Sequence, residues 1–184
     1  QSNLGLMYML GDGIPADPTE LKIGHWVMDV ASNLVATYKM PICIINGAVG
    51  GTRVDEHQKG GLIYDRIYTR ITGAKLTHGI RAAFWYQGEN NQGARGPDPD
   101  YDYKFYQQYF VDMSAAWKQD CPNLRYYYIF QMWPSACGDV SANDMLREVQ
   151  RTLPYLYSKM RIMSTLGIVP GSSCHYSVVG YQKF

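Results

Sequence analysis

Pro41-Ile42-Cys43-Ile44-Ile45-Asn46, followed by Gly47, is a short apolar run that ends in a glycine-rich segment. An unbroken apolar run of this length is typical of a parallel strand that is buried on both faces. The stretch 24–39 before it carries apolar residues at helical spacing, and so does the segment that follows Gly60-Gly61. A buried strand between two amphipathic helices predicts an α/β fold.

The same alternation of strands and helices continues along the chain. Strands are predicted at 80–86, 126–131 and 160–168, and helices at about 103–118, at 144–159 with a kink or restart at Pro154, and at 176–184. Such regular alternation predicts a three-layer α/β/α sandwich with a central parallel sheet. Because no strand precedes Ser2 and the last helix stops at Phe184, we expect a single domain over 1–184 that is a fragment of a longer chain, incomplete at both ends.

Composition and charge argue against several classes of protein. The chain has 184 residues, enough for one domain with a sizeable core. Its net charge of +1, from 17 basic and 16 acidic residues, gives no reason to expect nucleic acid as a partner. No apolar run approaches the ~18 residues of a membrane span, and no signal segment is recognisable. No metal site or cofactor is predicted, since the cysteines lack CxxC spacing and His25, His57 and His78 are interpreted as structural.

The four cysteines fall into two groups. Cys43 lies in the apolar strand and is predicted to be a buried free thiol. Cys121, Cys137 and Cys174 lie in predicted loops, and one disulfide among them would suit an exported protein. The sequence leaves the pairing open.

Four short segments carry residues suited to ester hydrolysis. They are Gln1-Ser2-Asn3, Gly50-Gly51-Thr52, Gln87-Gly88-Glu89 and the single His175. In a parallel sheet, the loops that follow the carboxyl ends of the strands build the functional site. These segments supply a nucleophile, two turns able to present oxyanion donors, and a base, which together predict a serine hydrolase. The 16 tyrosines would suit a sugar ligand, although Tyr126-Tyr127-Tyr128 is interpreted mainly as part of a strand.

These segments resemble the SGNH/GDSL hydrolases, and within them the sialate O-acetylesterase-like carbohydrate esterases. The matching segments are 1–3, 46–52, 85–91 and 174–177 followed by Gly180-Tyr181. The resemblance spans nearly the whole chain and implies a flavodoxin-like α/β/α fold. It also implies that Ser2 is the nucleophile and His175 the general base. The oxyanion hole would then consist of the backbone N–H groups of Ser2 and of Gly50 or Gly51, together with the Gln87 amide.

One difference from this family concerns the partner of His175. The family usually carries an Asp three residues before the histidine, where this chain has Ser172. We therefore expect a Ser–His dyad in which a backbone carbonyl of the loop 170–173 holds the imidazole. Glu89 is a second candidate for orienting the histidine, and Asn90 a candidate for shaping the site.

The resulting expectation is an esterase that removes O-acetyl groups from carbohydrate, either sialate or a polysaccharide. Its partner would be the acetylated substrate alone, without nucleic acid or a cofactor, and the sequence leaves the oligomeric state open. We expect it to be secreted, periplasmic or on the cell surface of a bacterium. The alternative is a non-catalytic carbohydrate-binding module on a decayed hydrolase fold.

Overall fold

The helices and the last four strands follow the predicted order along the chain. The computed structural model describes residues 5–9, 25–92, 102–138, 142–168 and 174–183. The strands are β1 (Gly5–Met9), β2 (Ile42–Asn46), β3 (Ile80–Tyr86), β4 (Tyr126–Phe130) and β5 (Met160–Met163). The helices are α1 (His25–Tyr38), α2 (Leu62–Gly73), α3 (Tyr103–Asp120), α4 (Asn143–Thr152) and α5 (Val178–Tyr181). In the part of the chain so described, no helix is both long and apolar enough to cross a bilayer.

The five strands form one sheet in the order β2-β1-β3-β4-β5. The neighbours β3, β4 and β5 are parallel, which confirms the predicted central parallel sheet. β1 is an addition to the predicted strands, and it runs antiparallel to both β2 and β3. As a consequence β2 and β3 point in the same direction, and their carboxyl ends lie at the same edge of the sheet.

Helices cover both faces of the sheet. Neighbouring residues of β3 point to opposite sides, so that Trp85 packs in one core cluster while Phe84 and Tyr86 pack in the other. The Trp85 cluster is completed by buried residues of α2, α3 and α4, and the second cluster by Trp26 of α1 and by Tyr176 near α5. The arrangement is a three-layer α/β/α sandwich, as the sequence predicts.

Two helix ends show how local sequence sets these boundaries. The Asp102 side chain accepts a hydrogen bond from the Lys104 backbone N–H at 2.8 Å, which caps the start of α3. α4 ends at Thr152, and a 3-10 turn over Leu153–Tyr155 follows it. Pro154 lies in that turn because proline has no N–H to continue the helix. The predicted break at Pro154 therefore becomes a helix end.

Candidate active site

Two of the predicted turns meet at the carboxyl edge of the sheet. Gln87, which directly follows β3, donates from Nε2 to the Thr52 carbonyl oxygen at 3.0 Å. Asn90 donates from Nδ2 to the Gly51 carbonyl oxygen. The structure thus joins the Gly50-Gly51-Thr52 turn to the Gln87-Gly88-Glu89 turn, although they lie some 35 residues apart in the sequence.

The paired-glycine turn combines a backbone conformation that favours glycine at Gly51 with open space beside it. Gly51 has a φ of 75°, in the left-handed region that other residues rarely adopt. A Cβ added at Gly50 would meet no heavy atom within 4 Å, and one at Gly51 would meet only the Asn90 amide nitrogen at 3.9 Å. The space beside this backbone is open, as the close approach of a substrate requires.

The buried His57 supports the Gly50-Gly51-Thr52 turn through a hydrogen bond to Thr52. The Thr52 hydroxyl donates its single hydrogen to the Val49 carbonyl at 2.8 Å, so the contact of 2.8 Å between Thr52 Oγ1 and His57 Nε2 must be donated by the imidazole. The His57 ring is 4% exposed and lies edge-on to Trp85. Burial lowers the pKa of His57 to about 4, even though Asp55 acts in the opposite direction. His57 is therefore neutral near pH 7 and structural.

The Gln87 side-chain nitrogen and backbone carbonyl are engaged inside the protein, whereas the buried side-chain oxygen Oε1 has no hydrogen-bond partner among the described residues. Its side-chain nitrogen donates to the Thr52 carbonyl at 3.0 Å and to Asn91 Oδ1 at 2.8 Å. Its backbone carbonyl accepts hydrogen bonds from the Tyr106 hydroxyl at 3.0 Å and from Gln150 Nε2 at 2.8 Å. Gln87 is 2% exposed. To donate to an oxyanion, its amide would have to release one of these two bonds, so the oxyanion role remains a prediction.

Asn91 is a supporting residue to which the sequence analysis assigned no role. It is completely buried, and its Oδ1 accepts the Val54 backbone N–H at 2.9 Å as well as the Gln87 amide. Its own backbone N–H donates to the Gly88 carbonyl at 2.8 Å. Asn91 therefore connects both turns. In the sequence, its position within the Gln-Gly-Glu-Asn-Asn segment is the feature that could have indicated this role.

Glu89 lies in a cluster of tyrosines. Its Oε2 accepts the Gly88 backbone N–H at 3.1 Å. Burial raises the pKa of the carboxyl group, and hydrogen bonds from the backbone and from Tyr86 oppose that effect. Burial and then the Glu89 charge raise the pKa of Tyr181 to about 12. The rings of Tyr86, Tyr176 and Tyr181 lie 5.6–6.2 Å apart between centroids.

His175 is an exposed residue between two fixed neighbours. Cys174 before it forms a disulfide with Cys137, in the segment that follows β4. Tyr176 after it is 5% exposed and packs on Tyr86, the last residue of β3. These contacts place His175 near the strand end that carries the Gln-Gly-Glu turn. Partial burial lowers the pKa of His175, which favours the neutral imidazole that a general base requires.

The disulfide settles the pairing that the sequence left open. Cys137 and Cys174 are joined, whereas Cys43 and Cys121 are free thiols. Cys121 was predicted to lie in a loop, and the structure places it immediately after α3 in the core, 3% exposed. Cys43 is half-buried, and burial raises the pKa of its thiol.

The described residues contain only part of the predicted site. Ser2 and Ser172 lie outside them, as does the loop 170–173, so the nucleophile and the partner of the imidazole remain predictions. Within the described ranges no three His, Cys, Asp or Glu side chains come together as metal ligands would.

The three-layer fold with turns at the carboxyl edge of its sheet is an α/β/α architecture consistent with that of the SGNH hydrolases. A family model described as carbohydrate esterase, sialic acid-specific acetylesterase, matches residues 22–181. Because this match covers most of the chain, the protein belongs to that carbohydrate esterase family. A search of curated proteins gave no match. Family membership indicates carboxylic ester hydrolysis in general, with acetylated carbohydrate as the class of substrate.

Proposed function

We propose that this protein is a serine esterase that removes O-acetyl groups from sialate or from a polysaccharide, with Ser2 as nucleophile and His175 as base. The observation that carries the proposal is the hydrogen-bonded junction of the 50–52 and 87–91 turns, beside an exposed histidine with anchored neighbours. A turn with open space beside its backbone suits the binding of an oxyanion.

The reaction would proceed through an acyl-enzyme. Ser2 Oγ attacks the acetyl carbonyl carbon while its proton passes to His175, and the backbone N–H groups of Ser2 and of Gly50 or Gly51 stabilise the oxyanion, with the Gln87 amide as a further donor. The bond between the acetyl carbon and the sugar oxygen then breaks, and the imidazolium gives its proton to the sugar oxygen as it leaves. Water, deprotonated by the same imidazole, releases acetate and regenerates the serine. The lowered pKa of His175 supports its role as a neutral base.

We further propose that a backbone carbonyl of the loop 170–173 orients the imidazole, which makes the site a Ser–His dyad. Glu89 is the competing candidate. Its Oε2 already accepts the Gly88 backbone N–H at 3.1 Å, and burial raises its pKa, which disfavours the carboxylate that would orient an imidazolium; both observations support the dyad.

The disulfide supports an extracellular location. Structural disulfides persist in oxidising compartments and are rare in the cytosol. The bond between Cys137 and Cys174 therefore favours a protein that is secreted, periplasmic or held at the cell surface.

Hydrolysis of a chromogenic acetate ester by the full-length protein tests the proposal. We expect Ser2→Ala to abolish turnover, because the nucleophile is lost, whereas Ser32→Ala, the same change at an exposed position of α1, should leave it intact. An organophosphonate should label Ser2 alone, as mass spectrometry of the digested protein would show. Retention of more than a few per cent of activity in Ser2→Ala, or labelling elsewhere, would exclude this nucleophile.

A further inference from the structure

A cavity of about 470 Å³ lies at the opposite edge of the sheet from the proposed active site. Its lining includes Tyr127 at the start of β4 and Lys159 immediately before β5. Gln87, by contrast, follows the carboxyl end of β3, and β3, β4 and β5 all run in the same direction. At ~3.3 Å per residue, the five residues of β4 separate the two edges by roughly 16 Å. The cavity is therefore distinct from the site described above.

Three cations surround the cavity. Lys118, Arg125 and Lys159 all line it, all three are exposed, and its lining contains no Asp or Glu. The ion pairs among the described residues use other cations, namely Arg53, Lys59, Lys104 and Arg151. Lys118 donates to the Leu124 carbonyl at 2.9 Å, and Lys159 lies 5.6 Å from the Tyr126 ring, so neither charge is neutralised by these contacts. The cavity has the charge to attract an anion.

Aromatic rings form one wall of the same cavity. Tyr127 and Tyr157 stack with their centroids 5.9 Å apart and an interplanar angle of 21°. Tyr127 is the buried member, and its hydroxyl donates to the Ser114 carbonyl at 3.2 Å, while Tyr157 is half-buried. Burial raises the pKa of Tyr127, so the Tyr127 hydroxyl is uncharged at neutral pH. The flat apolar face of a tyrosine suits the C–H face of a sugar ring, and the exposed Ser158 adds a hydroxyl group.

We propose that this cavity binds a carboxylated sugar unit, a uronic acid residue of an acidic glycan. A simple anion would use the cations but not the rings, and a neutral sugar would use the rings but not three cations. The volume lies within the range of small-ligand sites. Because the cavity is far from the strand ends, one sugar unit cannot occupy both places, so the cavity anchors the glycan at a second point. This inference goes beyond the proposed esterase reaction and does not require it.

Titration calorimetry with trigalacturonate and with the neutral xylotriose tests the proposal on the full chain. We expect the wild-type protein to bind trigalacturonate, with an affinity that falls as salt is added. Arg125→Glu should weaken this binding at least tenfold, and Lys159→Glu should act in the same direction. Arg66→Glu makes the same charge change at an exposed position of α2 and should alter the affinity less than twofold. Tyr157→Leu should weaken binding, whereas Tyr157→Phe should retain it.

Three results would overturn the proposal: equal binding by Arg125→Glu and Arg66→Glu, equal affinity for xylotriose and trigalacturonate, or displacement of the sugar by an equal concentration of inorganic phosphate. The last would indicate a plain anion site. Turnover of a chromogenic acetate, measured on the same variants, should stay at the wild-type level. A wild-type protein that binds trigalacturonate without hydrolysing the ester would reject the esterase proposal alone.

Discussion

His57 should make the stability of this protein depend on pH. Burial lowers its pKa to about 4, whereas an imidazole in an unfolded chain titrates near ~6.5. Between these values the unfolded chain binds more protons than the folded one, so the free energy of unfolding falls as the pH is lowered. The stability that the neutral His57 contributes is present in full above the unfolded-state pKa of ~6.5 and is lost as the pH falls towards 4. At about 1.36 kcal/mol per pH unit, the loss reaches about 3 kcal/mol at pH 4.

Urea unfolding at pH 7, 5.5 and 4 measures this effect when the wild type is compared with His57→Gln. Glutamine offers a nitrogen donor to the Thr52 hydroxyl but does not titrate. The wild type should therefore lose about 3 kcal/mol relative to this variant between pH 7 and pH 4. Comparing the two proteins removes the pH-dependent stability contributed by other groups, including Glu89, whose raised pKa has the opposite effect. His78→Gln, at an exposed position, should follow the wild type. Parallel curves for the wild type and His57→Gln would refute a buried neutral His57.

Two further predictions concern the Gln-Gly-Glu-Asn-Asn segment. Gln87→Ala should lower kcat by ~10²-fold or more with a smaller change in KM, because an oxyanion donor acts in the transition state. Asn91→Ala removes the contact that braces Gln87, and an equal loss of kcat in both variants would mean that Gln87 only supports the turn. Glu89→Gln should cost tenfold or less in kcat if the dyad operates. A loss of ~10⁴-fold would identify Glu89 as the group that orients His175.

Short-range patterns in the sequence predicted most of the framework. The apolar runs of β2, β3 and β4 and the helical spacing within α2 and α3 were sufficient, because burial on one or both faces determines these patterns. β1 was missed although Gly5–Met9 is an apolar run like that of β2. The reason is that the strand leading to Ser2 was expected ahead of Gln1, so that the residues after Ser2 were expected to form a loop. β5 is shorter than predicted, since Thr165 turns its hydroxyl back to the Gln131 carbonyl at 2.9 Å.

The site was predictable at the level of segments but not of individual contacts. The order of the turns indicated that Gly51 and Gln87 would meet at one edge of the sheet. The bond from Gln150 to the Gln87 carbonyl, however, joins residues 63 positions apart, and no local pattern encodes it. The pairing of the cysteines could not be predicted for the same reason. From the sequence, Cys121 and Cys137 were equal candidates for a disulfide, and only the packing at the end of α3 shows that Cys121 lies in the core.

The disulfide also gives the assembly of the site an order. α5 has only four residues, so regular secondary structure contributes little to holding the segment that carries His175. A covalent bond between cysteines 37 positions apart contributes instead. We therefore expect the sheet and its hydrogen-bonded turns to form in a newly made chain while both thiols are still reduced. His175, the proposed base, would then reach its final place only after the disulfide forms, so a reduced protein should be less active than an oxidised one if the proposed mechanism holds.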